Sequence, residues 1–201
     1  MTNKILISLT GPSGSGKTEL LNKLCENPKF KRLISTTTRP MRYGEINGHD
    51  YNFTSEAIFN RLLDKNEFVQ HIRFQGNYYG TLKADATEIL NQNVTPVVIV
   101  EPSGVQQFRK FCRENGFTYF SVYVTAESLI LIERYLTRMS AADLVDVEKK
   151  KYHAKRIEAI HNEWSTWGSI EDYDLIVTNS ENDLERIDEI AKDITSKISN
   201  D

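Results

Sequence analysis

The stretch that most constrains this chain is Gly11-Pro12-Ser13-Gly14-Ser15-Gly16-Lys17-Thr18. It lies between the apolar run Ile5-Leu6-Ile7-Ser8-Leu9 and Glu19-Leu20-Leu21-Asn22-Lys23-Leu24, which has the apolar spacing of a helix. A glycine-rich turn that leaves a strand and enters a helix curls so that its N–H groups face the helix N-terminus. The spacing G-x-x-x-x-G-K-[ST] suits a polyphosphate there. On this reading Gly11, Ser13, Gly14, Ser15 and Gly16 wrap the phosphates. Lys17 reaches the β- and γ-phosphates, and Thr18 puts its hydroxyl on Mg²⁺. A user of nucleoside triphosphate is expected, and the next question is what receives the phosphate.

Composition narrows the partners. With 201 residues, 39% of them hydrophobic and 26% charged, the chain is sized for one well-buried α/β domain carrying small inserted lobes. A net charge of −3 supplies no basic field for a nucleic acid polymer. No apolar run approaches the ~18 residues of a membrane span, and the N-terminus lacks a secretory apolar region, so a cytoplasmic location is expected. Cys25 and Cys112 lack metal or redox spacing and read as reduced, helix-packed thiols.

Periodicity predicts strands at Ile5 to Leu9, Leu33 to Thr38, Phe68 to Phe74, Tyr78 to Leu82, Val97 to Val100, Tyr119 to Val124 and Leu175 to Thr178. Between them it predicts helices at Lys17 to Cys25, after Ser55 as N-cap, and at Lys83 to Asn91, Gln106 to Glu114, Leu129 to Met139, Lys149 to Trp167 and Leu184 to Ile198. Gln75-Gly76-Asn77 reads as a turn, 39–51 as a basic, Gly-bearing loop, and 140–146 as a mobile lid. Strands alternating with helices imply a parallel sheet with helices on both faces.

The residues resemble the guanylate kinase family over most of the chain, from Ile5 to about Ile198. The resemblance is carried by the phosphate loop followed by Ser35-Thr36-Thr37-Thr38-Arg39, Arg42, Gly44-Glu45, Asn47-Gly48 and Asp50-Tyr51-Asn52-Phe53. Asn66-Glu67-Phe68 and Gly76-Asn77-Tyr78-Tyr79-Gly80-Thr81 extend it. It implies an α/β P-loop NTPase fold with an inserted, mixed nucleoside-monophosphate-binding lobe and a small helical lid. The divisions it suggests are a core of 1–34, 82–138 and 157–201, a monophosphate lobe of 35–81, and a lid of 139–156. It also implies that Arg39, Arg42, Tyr51 and Tyr79 hold the acceptor phosphate. Physically, two arginines can fork onto phosphate oxygens and two phenols can donate without adding charge. Arg134 and Arg138 match an R-x-x-x-R approach to the lid, and Arg156, in Arg156-Ile157-Glu158-Ala159-Ile160-His161-Asn162-Glu163, matches a later lid arginine. Together with Lys17, Arg39 and Arg42 they form the expected catalytic set, which neutralises charge on the transferring group. Asn179 matches an asparagine after the last strand.

The base pocket departs from the family pattern. The resemblance places guanine against Ser35, Gln70, Thr81 and Glu101. Gln70 stands where a glutamate is usual, Thr81 where a serine is, and Glu101 where an aspartate is. Ile99 replaces an acidic residue and Ser103 a glutamine. An amide cannot accept twice from the guanine N1–H and 2-amino edge as a carboxylate can. Phosphoryl transfer from ATP to GMP or dGMP, with Mg²⁺, is the activity implied, by a monomer or homodimer acting on small nucleotides without membrane or polymer partners. A kinase of another or modified monophosphate, and a non-catalytic interaction module on the same fold, are the alternatives. His49, His71, His153 and His161 read as surface or packing residues.

Overall fold

The computed structural model describes residues 4–74, 76–139, 145–170, 172–180 and 184–199. Among the described residues the elements run, in chain order, β1 (Ile5–Thr10), α1 (Lys17–Cys25), β2 (Phe30–Arg32), β3 (Thr36–Thr37), β4 (Asn52–Phe53), α2 (Glu56–Asp64), β5 (Phe68–Phe74) and β6 (Asn77–Leu82). Then follow α3 (Lys83–Leu90), β7 (Thr95–Ile99), α4 (Pro102–Glu114), β8 (Thr118–Thr125), α5 (Ser128–Leu136), α6 (Val147–Ile170), β9 (Leu175–Thr178) and α7 (Leu184–Ser199).

Five strands form a parallel sheet in the order β2-β7-β1-β8-β9. Its central strands are buried on both faces, which is why β1 and β7 read as unbroken apolar runs rather than alternating ones. Side chains two apart share a face. Ile5, Ile7 and Leu9 pack with Leu20, Leu21 and Leu24 of α1 and with Ile187, Ile190 and Ile194 of α7. Leu6 points the other way, into a second cluster with Ile89 and Leu90 of α3 and Phe108, Phe111 and Cys112 of α4. This is the parallel, doubly covered α/β sheet expected from the sequence. Because β1, β7 and β8 run the same way, the phosphate loop, Glu101 and Ala126 all emerge at their carboxyl ends, where ligands of such sheets bind.

A second sheet, β4-β3-β6-β5, combines antiparallel pairs with one parallel pair. Here the strand expected over Leu33 to Thr38 is corrected: only Thr36–Thr37 of it is a strand, β3, while its first residue belongs to the edge of the other sheet. Phe30–Arg32 pairs with β7, and Leu33 extends that ladder by donating its N–H to the Val97 carbonyl at 2.9 Å. Two residues later the Ser35 hydroxyl lies 3.1 Å from Thr81 Oγ1, and Thr36–Thr37 pairs with β6. β4, within the acceptor signature, is an additional strand. Ser55 caps α2 as expected, its Oγ accepting from the Ile58 N–H. Gln75 of the expected turn and residues 140–144 of the expected lid lie outside the described residues, and α6 begins at Val147, two residues before the expected start. No helix among the described residues is long and apolar enough to cross a membrane.

Candidate active site

The turn from β1 to α1 explains its own composition. A Cβ on Gly11 would collide with the backbone carbonyl of Val124 on β8, so the loop can lie against the sheet only with glycine there. The loop ends at Gly16, the N-cap of α1, which makes no side-chain cap bond and leaves the first N–H groups of the helix for a ligand. From the far side Asn179, at the end of β9, donates its amide to the Ser15 carbonyl at 2.9 Å. Arg134 of α5 donates to the Gly14 carbonyl at 3.1 Å. Two side chains from other elements therefore hold the loop's carbonyls away from the phosphate-facing side.

Lys17 folds over the loop and donates to the carbonyls of Gly11 and Pro12, each at 2.8 Å. Burial lowers its pKa to about 8, against the opposing pull of Glu101 and then Glu163. Burial likewise raises the carboxyl of Glu101, at the N-cap of α4, to about 7, with Lys17 opposing.

A cavity of about 710 Å³ opens between the two sheets. On the loop side it is lined by Gly11, Ser13, Gly14, Lys17 and Thr18, and on the second sheet by Ser35, Arg39, Arg42, Tyr51, Gln70 and Tyr79. Glu101, Arg138 and Arg156 complete the predicted residues on its wall. Ser15, Gly16, Thr81 and Arg134 are site residues of the sequence reading that stand behind the wall rather than on it, Ser15 and Thr81 being fully buried.

On the second sheet Arg39 is buried and forks onto Glu45, with Nη1 at 3.0 Å from Oε2 and Nη2 at 2.6 Å from Oε1. Burial opposes its charge, but the fork more than offsets this and its pKa is raised. The Glu45 carboxyl is lowered, first by the Arg39 hydrogen bond. Glu45 also accepts the Arg42 N–H at 2.7 Å, so one carboxylate organises both arginine positions. The Arg39 guanidinium sits 5.5 Å from the Tyr51 ring centre, and Tyr51 packs edge-on against Tyr79. Burial raises the Tyr51 phenol, which stays a neutral donor. Deeper in, Gln70 donates its amide to Thr81 Oγ1 at 3.3 Å, and Thr81 in turn bonds Ser35. Both Gln70 and Thr81 are buried.

On α6, Arg156 and Glu163 are both buried and form an ion pair at 2.8 Å. Glu163 accepts the Ser13 N–H at 2.8 Å, and Arg156 donates to Ser13 Oγ. Arg138 is exposed on the rim, its Nε donating to the Arg134 carbonyl at 3.1 Å. His153, read from the sequence as a surface or packing residue, lines the cavity with its Nδ1 2.6 Å from the Tyr135 hydroxyl.

Glu45 and Glu163, which the sequence offers only as members of motifs, are the carboxylates that pair with Arg39 and Arg156. The seven-residue spacing of Arg156 and Glu163 is two helical turns, which places them on one face, but nothing in the sequence says that face is buried. Among the described residues no cluster of three His, Cys, Asp or Glu side chains could cage a metal ion. Thr18 and Glu101, both on the cavity wall, suit a cation that takes most of its ligands from phosphate and water.

Comparison with known proteins gives a consistent result. The sequence profile described as guanylate kinase matches residues 3–200. The chain is 34% identical over 192 residues to a guanylate kinase of Prochlorococcus marinus, covering 95% of this chain and 97% of that one. It is 32% identical over 186 residues to a guanylate kinase of Methylococcus capsulatus, covering 92% and 84%. The crystal structure of guanylate kinase from Anaplasma phagocytophilum superposes with a TM-score of 0.71 over 98% of this chain and 86% of that one. At 23% identity this likeness concerns the fold alone.

Proposed function

Since the chain belongs to the guanylate kinase family, a nucleoside monophosphate kinase family using ATP, we propose that it transfers the γ-phosphoryl group of ATP to GMP or dGMP, giving ADP and GDP or dGDP. The observation that carries this reading is the pairing, across one 710 Å³ cavity, of a phosphate loop bearing Lys17 with the Arg39–Glu45 fork flanked by Tyr51 and Tyr79. That is a triphosphate site facing a monophosphate site.

A monophosphate carries about two negative charges and must approach a triphosphate closely, so repulsion has to be cancelled before in-line transfer. Arg39, Arg42, Tyr51 and Tyr79 take the acceptor phosphate. Lys17 and the loop N–H groups take the β- and γ-phosphates, and Arg138 and Arg156 approach the transferring group from the lid side, with Arg134 bracing the loop. Ser35, Gln70 and Glu101 read the base, with Thr81 bonded to Ser35 and Gln70 behind them. Catalysis then consists of positioning and charge neutralisation by groups fixed before the substrates arrive. Mg²⁺, held by Thr18 with Glu101 nearby, neutralises phosphate charge when bound. The division into core (1–34, 82–138, 157–201), monophosphate lobe (35–81) and lid (139–156) follows the same reading, as does a cytoplasmic enzyme of small nucleotides. A coupled assay of ADP release with a panel of monophosphates tests the proposal. Turnover with GMP or dGMP is expected, and its absence with both overturns the reading.

A further inference from the structure

Glu163 is a buried carboxylate with no role in the reaction just described, yet it touches two parts of the site. Its Oε1 accepts from Arg156 Nη1 at 2.8 Å and its Oε2 accepts the Ser13 N–H at 2.8 Å. The other end of the guanidinium closes the ring by donating to Ser13 Oγ. The ring therefore joins the lid helix to the phosphate loop. The guanidinium also lies 5.6 Å from the centre of the Phe74 ring, at the end of β5, so Arg156 stands where loop, lid helix and second sheet meet.

A buried ion pair is a poor source of stability, because desolvating both charges consumes most of their attraction. What it does provide is orientation. An arginine side chain has many rotamers, and holding one of them requires fixed acceptors on the guanidinium. Glu163 is itself fixed by a backbone N–H of the loop, so the guanidinium it holds keeps register with the phosphates the loop binds. The arrangement repeats the one across the cavity, where Glu45 grips Arg39 and accepts the Arg42 N–H.

We propose that Glu163 is a positioning residue that acts through Arg156, fixing its guanidinium to Ser13 of the phosphate loop so that it is aimed at the transferring phosphoryl group. This rests on the kinase reading above for its consequence in turnover, but not for its consequence in the guanidinium itself.

A double-mutant cycle in the full chain tests it, with ADP release read at saturating and limiting ATP. Glu163→Ala is expected to lower kcat on the order of 100-fold, the scale of losing one well-aimed charge-stabilising group, while KM for ATP changes less than about threefold. Glu163→Gln, which can still accept the Ser13 N–H, is expected to recover part of the loss. The double variant Glu163→Ala with Arg156→Ala is expected to be no slower than Arg156→Ala alone, because residues acting as a unit are not additive. Additive losses overturn the proposal. So does a lower KM for ATP in Glu163→Ala, since a carboxylate that merely occupied the phosphate's place would release the site on removal.

A readout independent of turnover separates this inference from the kinase reading. In ¹⁵N-labelled protein the Arg156 guanidinium N–H resonances, assigned with Arg156→Lys, are expected to be resolved and slowly exchanging. They should be lost in Glu163→Ala, with the thermal transition of that variant confirming that it is folded. Unchanged resonances refute the inference whatever the wild-type activity is.

Discussion

Gly16→Ala tests the construction of the phosphate loop from behind. Gly16 has φ of 93° and ψ of 15°, a left-handed conformation that costs a residue with a Cβ about 1–2 kcal/mol. The added Cβ would also run into Asn179 Nδ2, the atom that donates to the Ser15 carbonyl at 2.9 Å. The amide can swing away, since it is the end of a side chain, but only by giving up that bond at about 1 kcal/mol. The loss should therefore total about 2–3 kcal/mol, a fall of roughly 4–12 °C in Tm for a chain of this size. Asn179→Ala removes the same bond without the strain and should cost about 1–2 kcal/mol. In the double variant the collision is gone and the bond is already lost, so its stability should lie within about 0.5 kcal/mol of Gly16→Ala alone. Urea unfolding of the four proteins gives the cycle. Strict additivity would show that Asn179 does not brace the loop, and a loss below about 1 kcal/mol for Gly16→Ala would contradict the strain at Gly16.

Three further outcomes are expected. Lys17 titrates at about 8 in the free protein, and a triphosphate binds its ammonium form. Binding above about pH 8 must therefore take up a proton, and Mg·ATP affinity should fall by up to about tenfold per pH unit; calorimetry in two buffers of different ionisation enthalpy reads the uptake, and a flat affinity to about pH 9.5 contradicts it. Glu45→Ala frees the Arg39 fork and should raise KM for GMP about tenfold with KM for ATP within about twofold; steady-state kinetics with each substrate varied decides. Gln70→Glu gives the buried base pocket a double acceptor that Thr81 can bond in turn, and should raise kcat/KM for GMP about tenfold. An unchanged ranking of monophosphates would mean that Gln70 does not set base preference.

The core was legible because its signals are local. α1 starts and ends where the apolar stripe of Leu20, Leu21 and Leu24 predicts, and β9 matches the run Leu175 to Thr178. Leu33 to Thr38 was not, since all six residues suit a strand. The break between the sheets is made by partners far away in sequence, Val97 for Leu33 and Thr81 for Ser35. The cations of the site could be read because a lysine behind a glycine-rich turn and arginines at motif spacing suit phosphate oxygens far better than they suit a core. Their carboxylate partners could not, because a glutamate on a charged helix or in a polar loop is ordinarily solvated. Only folding reveals that Glu163 is buried against Ser13, or that Arg134 turns to the back of the loop.

The acid partners also bear on how nucleotides arrive. Six basic side chains line the cavity, but four acidic ones stand among them, three already paired with Arg32, Arg39 and Arg156. The cleft thus projects only a weak positive potential, and the chain as a whole is slightly acidic. Long-range attraction contributes little to encounter, so association rates of Mg·ATP and GMP should respond only weakly to ionic strength. Discrimination then rests on how long each nucleotide stays once its phosphate has entered the preset donors.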